Sequence, residues 1–246
     1  MERKENAPDS PYLTDNLKDY PSELALLYEN STRRLYSAGE MVYIQSDASK
    51  PEFYLIESGR VKIALLSKDG SERTVIIQER NTLFGYAAAF DGHPHFQTAT
   101  ALEPSQLRVI PVETFLALND KYPRLSAVLI AAFARVTRML ILQIENDSFM
   151  DARRRVAHML CKLASEVGQR TPKGILIAKK VTQEDIGSLT GLSRVSVSLA
   201  LNHFEEEDLL RKKRNMIEIF NVEKLQNVAG GTAKMGRPGG HFQEIK

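Results

Sequence analysis

The sequence predicts an α+β chain in three successive parts: a β-sandwich or barrel, one long helix suited to dimerisation, and a winged helix-turn-helix. Three observations carry this. From about 35 to 112, short β-type runs alternate with glycine-centred turns, the pattern of a β-sandwich or barrel. From 121 to 147, apolar residues recur at spacings of three and four, nearly all round a helix, so that helix must be covered on more than one side. From 181 to 210, two short helical runs flank a glycine-containing turn, the arrangement that sets its second helix in a DNA groove.

Residues 1–22 hold three prolines and many polar side chains and read as a flexible arm. They lack an apolar signal-peptide core. A single cysteine, Cys161, excludes an internal disulfide, and both points favour the cytoplasm. The front domain spans 23–120. Its runs include Met41–Ile44, Phe53–Ile56, Val61–Leu66, Thr74–Ile77 and Leu107–Ile110, with Asp69-Gly70 as a hairpin turn. In the long helix, Leu125, Val128, Leu129, Ala132, Val136, Met139 and Leu140 form one stripe, widened by Ile130, Phe133, Ile141, Leu142 and Ile144. One side can cover the β domain and the other can pack on a second copy. Arg135 and Arg138 interrupt the stretch and make it a poor membrane span. Asp151 is a plausible N-cap for a helix from Arg153 to Val167, so 146–151 reads as a hinge.

The domain from 148 to 226 carries the reader. Thr182 caps the first helix and Ser193 the second, with Gly191 in the turn. Val197, Ala200, Leu201 and Phe204 face inward at helical spacing. Arg194, Val195, Ser196, Ser198, Leu199 and Asn202 carry no acid, as approach to phosphates requires. The basic run 211–214, with Lys212 and Lys213, lies between Leu209-Leu210 and the alternating 216–220, and reads as a wing aimed at the DNA backbone. Residues 148–225 hold fourteen Lys/Arg against ten Asp/Glu. The whole chain is only +2, so the cationic surplus sits at the DNA-reading end. Residues 227–246, with five glycines, read as a flexible tail. Gly236-Arg237-Pro238 is a weak match to a minor-groove hook.

This order resembles the catabolite-activator and fumarate–nitrate-reduction (CRP/FNR) superfamily. The resemblance rests on Ala38-Gly39-Glu40, Phe53–Lys62, Leu83-Phe84-Gly85, Thr182–Gly187 and Gly191–Arg194, and covers about 33–226. It implies a cyclic-nucleotide-binding-like β-roll (jelly roll), a long dimerisation helix and a cytoplasmic bacterial homodimer. Such a protein binds double-stranded DNA, contacts RNA polymerase and switches transcription when a small molecule occupies the roll. Asn81–Gly85, Thr100–Pro104 and Val195–Ser198 are similar to regulators of organohalide respiration within it, which respond to halogenated aromatics.

The departures bear on the signal. Cyclic-nucleotide-binding members follow the glycine at the place of Gly85 with a glutamate for the ribose, and later supply an arginine for the phosphate. Here Tyr86 follows, and the later segment is His93-Pro94-His95-Phe96-Gln97. A ribose and a phosphate would lack partners, at a cost of several kcal/mol, so cyclic AMP is not the expected effector. The cysteine ligands of the oxygen-sensing branch are missing too. Two loop histidines are a weak basis for a metal, so neither metal nor cofactor is expected. Gly85, Tyr86, Ala87 and Phe90 instead suggest an apolar wall, and Arg135, Thr137 and Arg138 its polar partners. That set suits a small organic acid or phenolate. The reading in which both arginines are exposed or cap the β domain stays open.

On the recognition helix, many members have Arg, Glu and Arg where this chain has Arg194, Val195 and Leu199. Apolar side chains there suit thymine methyls, so an A·T-rich inverted repeat is expected. No nucleophile elbow, metal-ligand spacing or phosphate loop supports an enzyme, and a DNA-packaging protein has no use for a sensor-sized front half. A constitutive regulator of the same fold, without an effector, is the remaining alternative.

Overall fold

Residues 16–177, 181–213 and 216–230 are described by a computed structural model of the chain. Two compact units part between Ser148 and Phe149. The first begins with α1 (Pro21–Glu29), β1 (Thr32–Tyr36), β2 (Met41–Tyr43), β3 (Glu52–Ser58), β4 (Val61–Leu66) and β5 (Glu72–Gln78). It continues with β6 (Leu83–Phe84), α2 (Tyr86–Asp91), β7 (Thr98–Ala101), β8 (Ser105–Pro111), α3 (Val112–Lys121) and α4 (Leu125–Phe149).

Its strands form two four-stranded antiparallel sheets, ordered β1-β8-β3-β6 and β2-β7-β4-β5. Tyr54, Ile56, Phe84, Leu107 and Val109 of one sheet meet Val61, Ile63 and Ala99 of the other. The opposite side chains of β3, Phe53 and Leu55, point into a second core with Leu24 and Leu27 of α1, Phe115 of α3, and Leu125, Val128 and Ala132 of α4. Burial on both faces is why Phe53–Ile56 is an unbroken apolar run rather than an alternating one. Each such side chain contributes about 1.5–3 kcal/mol by leaving water. The β4–β5 hairpin turns at Asp69-Gly70 as the sequence predicts, and Ser67 and Ser71 donate to the Asp69 carboxylate.

Helix α4 is long and apolar enough to cross a membrane by length and composition, yet it is fastened to the β-roll along one stripe. Leu125, Val128, Ala132 and Met139 are buried. The Gln143 amide donates to the Val75 carbonyl, Arg73 pairs with Asp147, and Arg135 Nη1 donates to the Asn16 carbonyl at 2.5 Å. The opposite stripe, including Ile130, Ile141 and Ile144, is solvent-exposed in the single chain.

The second unit holds α5 (Ala152–Val167), β9 (Gly168–Thr171), β10 (Gly174–Ile177), α6 (Gln183–Thr190), α7 (Arg194–Glu206), β11 (Leu210–Lys213), β12 (Met216–Ile219) and α8 (Val222–Ala229). Its antiparallel sheet runs β11-β12-β10-β9. Val156, Ala157 and Leu160 of α5 share one core with Ile186, Val197, Leu201, Phe204, Ile217, Ile219 and Leu225.

Several boundaries differ from the sequence reading. Residues 121–147 are not one helix: the chain breaks after Lys121, where Tyr122-Pro123 intervenes, and restarts at Leu125. Proline holds its predecessor out of the helical region. The expected arm of residues 1–22 gives way by Leu17, which is 1% exposed, and α1 starts at Pro21, a proline suited to a first helical turn. The expected tail loses residues 227–229 to α8, which ends at Gly230 with φ +117°. The Gly-Arg-Pro segment lies outside the described residues.

Candidate functional site

The helix-turn-helix is built by local chemistry. The Thr182 hydroxyl accepts from the Asp185 amide at 3.0 Å, and the Asp185 carboxylate accepts from the Thr182 amide at 2.8 Å. This reciprocal box satisfies two amides that a helix start leaves orphaned. Gly191 ends α6 at φ +67°, a left-handed turn that costs a glycine little. Ser193 then accepts from the Ser196 amide at 3.1 Å and starts α7. Helix α7 divides cleanly. Val197, Ala200, Leu201 and Phe204 are buried, whereas Val195 is 68% and Leu199 64% exposed. Arg194 and Asn202 are exposed beside them, Ser198 and Ser196 are half-buried, and Arg194 stands 3.9 Å from Glu184 with both side chains mostly in solvent. Val195 and Leu199 thus put two aliphatic groups on the outward face of a helix otherwise sorted by polarity.

The wing adjoins this face. Leu210–Lys213 pairs with Met216–Ile219. Lys212 does not stand free: its ammonium is 3.0 Å from Glu205 Oε2 and donates to the Asn202 amide oxygen, and its backbone amide donates to Glu205 Oε1 at 3.1 Å. These bonds hold the Glu205 carboxyl below its ordinary pKa. Thr182, Arg194, Lys212 and Met216 rim a cavity of about 400 Å³ between the start of α6, α7 and the wing. For Lys213 only its backbone position at the end of β11 is described.

A second cavity, of about 200 Å³, lies inside the first unit. Gly85, at φ +78°, turns the chain from β6 into α2 so that Tyr86 points into it. Its wall combines Ile63, Phe84, Ala88, Phe133, Val136 and Leu140 with Gln78, Gln97, Thr137 and three larger polar rings, Tyr43, Tyr86 and His95. Tyr43 stacks on His95 with centroids 3.9 Å apart, and Tyr86 meets Phe133 of α4 at 4.3 Å. Burial raises the phenol pKa of both tyrosines and lowers that of His95, opposed by Asp47. All three are therefore neutral at pH 7.

The expected cation anchors are not in this wall. Gly85, Tyr86, Ala87 and Thr137 line it, but Arg135, Arg138 and Phe90 do not. Helical geometry is the reason: Phe133, Val136, Thr137 and Leu140 share the face toward the cavity, and positions 135 and 138 turn off that face. Arg135 is instead held by the Asn16 carbonyl and lies 3.5 Å from Asp19. Phe90 packs on Phe53 and Phe115. His93 is exposed, and among the described residues no group of three or more His, Cys, Asp or Glu could hold a metal. Cys161 is half-buried, and burial pushes its thiol up to about 11, far from a reactive thiolate.

Residues 33–122 match the family described as cyclic nucleotide-binding domain, and residues 154–228 the Crp-like helix-turn-helix domain. The cyclic AMP receptor protein of Thermus thermophilus is 30% identical over 213 residues, covering 87% of this chain and 95% of that protein. The chain belongs to the CRP/FNR superfamily of transcription regulators. The fumarate and nitrate reduction regulatory protein of Escherichia coli is 29% identical over 203 residues, covering 79% of this chain and 77% of that one. The solved structure of the c-di-GMP responsive global regulator CLP of Xanthomonas campestris, 18% identical, shares the fold with a TM-score of 0.73 over 82% of this chain and 99% of that one. CRP/FNR proteins are ligand-responsive regulators rather than enzymes, and this member carries their DNA-binding helix-turn-helix.

Within this CRP/FNR chain, the sequence reading missed the arginines that brace the reader. Arg153, at the start of α5, donates to both Glu207 oxygens at 2.7 Å and lies over the Phe204 ring at 5.5 Å. Arg155 donates to the Met150 and Thr190 carbonyls at 3.1 and 3.3 Å. The helix after the domain boundary thus grips the ends of α7 and α6. The run Arg153-Arg154-Arg155 was visible, but its partners lie 35 to 54 residues away, beyond any local pattern.

Proposed function

We propose that this regulator is a cytoplasmic homodimer that reads an A·T-rich inverted repeat, contacts RNA polymerase and responds to a small organic effector in the front unit. The observation that carries the DNA reading is the outward face of α7, where Val195 and Leu199 are exposed beside Arg194 and Asn202. Arginine suits a guanine edge or a phosphate, and aliphatic side chains suit the C5-methyl of thymine. Selection from random duplexes tests this. Enrichment of an inverted repeat with A·T-rich half-sites one helical turn apart is expected; G·C-centred half-sites would contradict it.

The exposed stripe of α4 supports the dimer. Ile130, Ala134, Thr137, Ile141 and Ile144 follow spacings of four, three, four and three, the seam of a two-stranded coiled coil. Ile130, Ile141 and Ile144 are 66, 59 and 64% exposed in one chain, and a two-fold axis would cover them on both copies. Phe133, Val136, Thr137 and Leu140 of the same helix line the cavity. An occupant therefore touches the dimer helix directly, and one that favours the DNA-competent state would shift the equilibrium toward it. Cyclic AMP is disfavoured as that occupant, since no lining residue offers a charge to its phosphate. Titrating operator affinity with and without candidate effectors tests the switch; equal affinity throughout would leave a constitutive binder.

A further inference from the structure

We propose that the cavity of the front unit takes one uncharged aromatic ring bearing a single neutral hydrogen-bonding group, and excludes carboxylates and nucleotides. This rests on reading that unit as the sensor, and it replaces the organic-acid class that the sequence suggested.

Size sets the first limit. The cavity holds about 200 Å³, and cavities of about 150 Å³ hold benzene. The space matches one ring with a short substituent. Shape sets the second. Tyr43, Phe84, Tyr86, Phe96 and Phe133 contribute aromatic surfaces, which favour offset or edge contacts with another ring.

Charge sets the third. Among the sixteen residues of the wall, none is Lys, Arg, Asp or Glu, and the one histidine is neutral for the reason given above. A carboxylate entering here would shed its water and find no cation, a loss an uncharged ligand avoids. Hydrogen-bond supply sets the fourth. Tyr86 is 6% exposed, and neither its hydroxyl nor that of Tyr43 has a protein hydrogen-bond partner among the described residues, whereas Tyr28 and Tyr54 do. The His95 ring nitrogens are likewise unengaged there. These groups line the cavity without being sealed in protein, so a ligand hydroxyl or amide there can pair with them.

The test uses the full chain and four probes: benzyl alcohol, toluene, benzoate and cyclic AMP. Benzyl alcohol should raise the melting temperature saturably at millimolar concentration. Toluene should do so less, and benzoate and cyclic AMP not at all. Tyr86→Phe keeps the ring and removes the hydroxyl. It should leave the unliganded melting temperature unchanged and weaken benzyl alcohol by about two- to tenfold, without altering toluene. A shift from benzoate or cyclic AMP at least as large as that from benzyl alcohol would overturn the inference. So would the absence of a benzyl alcohol shift, or undiminished benzyl alcohol binding by the variant. Operator affinity measured in the same samples separates the two readings. Ligand binding with these preferences but no change in operator affinity would remove the sensor role alone. A carboxylate that binds and changes operator affinity would remove the inference alone.

Discussion

The contact between α7 and thymine methyls can be probed without altering the protein. Replacing thymine by deoxyuridine in a selected operator deletes the C5-methyl and leaves every hydrogen-bonding edge intact. Val195 and Leu199 are four residues apart on one face, each about two-thirds exposed, so each can cover one methyl. Removing a buried group of that size costs about 0.8 kcal/mol, or roughly fourfold in affinity. Two methyls in each of two half-sites give about 3 kcal/mol, roughly a two-hundredfold loss if the contacts add. Fluorescence anisotropy at one fixed salt concentration measures it, because the phosphate contribution changes steeply with salt. The double substitution Val195→Ala, Leu199→Ala should bind the thymine and deoxyuridine operators within about twofold of each other. Equal affinity of the unaltered protein for both duplexes would refute the methyl reading while leaving DNA binding in place.

Ile141→Asp places an unpaired carboxylate on the exposed seam of α4, twice per dimer. It should weaken dimerisation by at least about a hundredfold, since each lost aliphatic contact is worth about 1.5–3 kcal/mol; sedimentation showing an unchanged dimer would contradict the seam. Arg194→Ala should cost about 1–3 kcal/mol per half-site and flatten sequence preference in competition assays. Lys212→Ala should weaken all duplexes alike and lower the salt slope by about one per half-site. An unchanged slope would mean that Lys212 stays bound to Glu205 in the complex. Glu57 receives Arg108 and Arg33 at 2.7 to 3.1 Å, and its pKa is lowered chiefly by the Arg108 hydrogen bond. A carboxyl lowered in the folded state stabilises above its unfolded pKa, near 4.5, and that stability is lost as pH falls through the folded value. Glu57→Gln should therefore reduce the fall in melting temperature between pH 5 and 3, and an identical acid profile would assign that fall to other groups.

The elements that were legible share one property: their signal is local. Thr182 and Asp185, or Ser193 and Ser196, need only three residues of separation to cap a helix. The sorting of α7 into Val197, Leu201 and Phe204 against Val195 and Leu199 follows from helical period alone. The hairpins at Asp69-Gly70 and around the wing are set by turn chemistry and alternation. Short helices such as α1, α2 and α3 escaped notice because six to ten residues carry too little periodicity beside a strand-rich neighbourhood.

Sequence alone determined the order of parts, the capped helix pair, the acid-free edge of the reader and the lack of an arginine for a cyclic phosphate in the segment after Gly85. Only the tertiary structure decided what the long helix presents to which side. It turned Phe133, Val136 and Thr137 toward the cavity and Arg135 toward Asn16, drew Lys212 onto Glu205, and set Arg153 against Glu207. A residue type specifies which contacts are affordable, but a helix one hundred degrees per residue around is aimed by whatever packs against it.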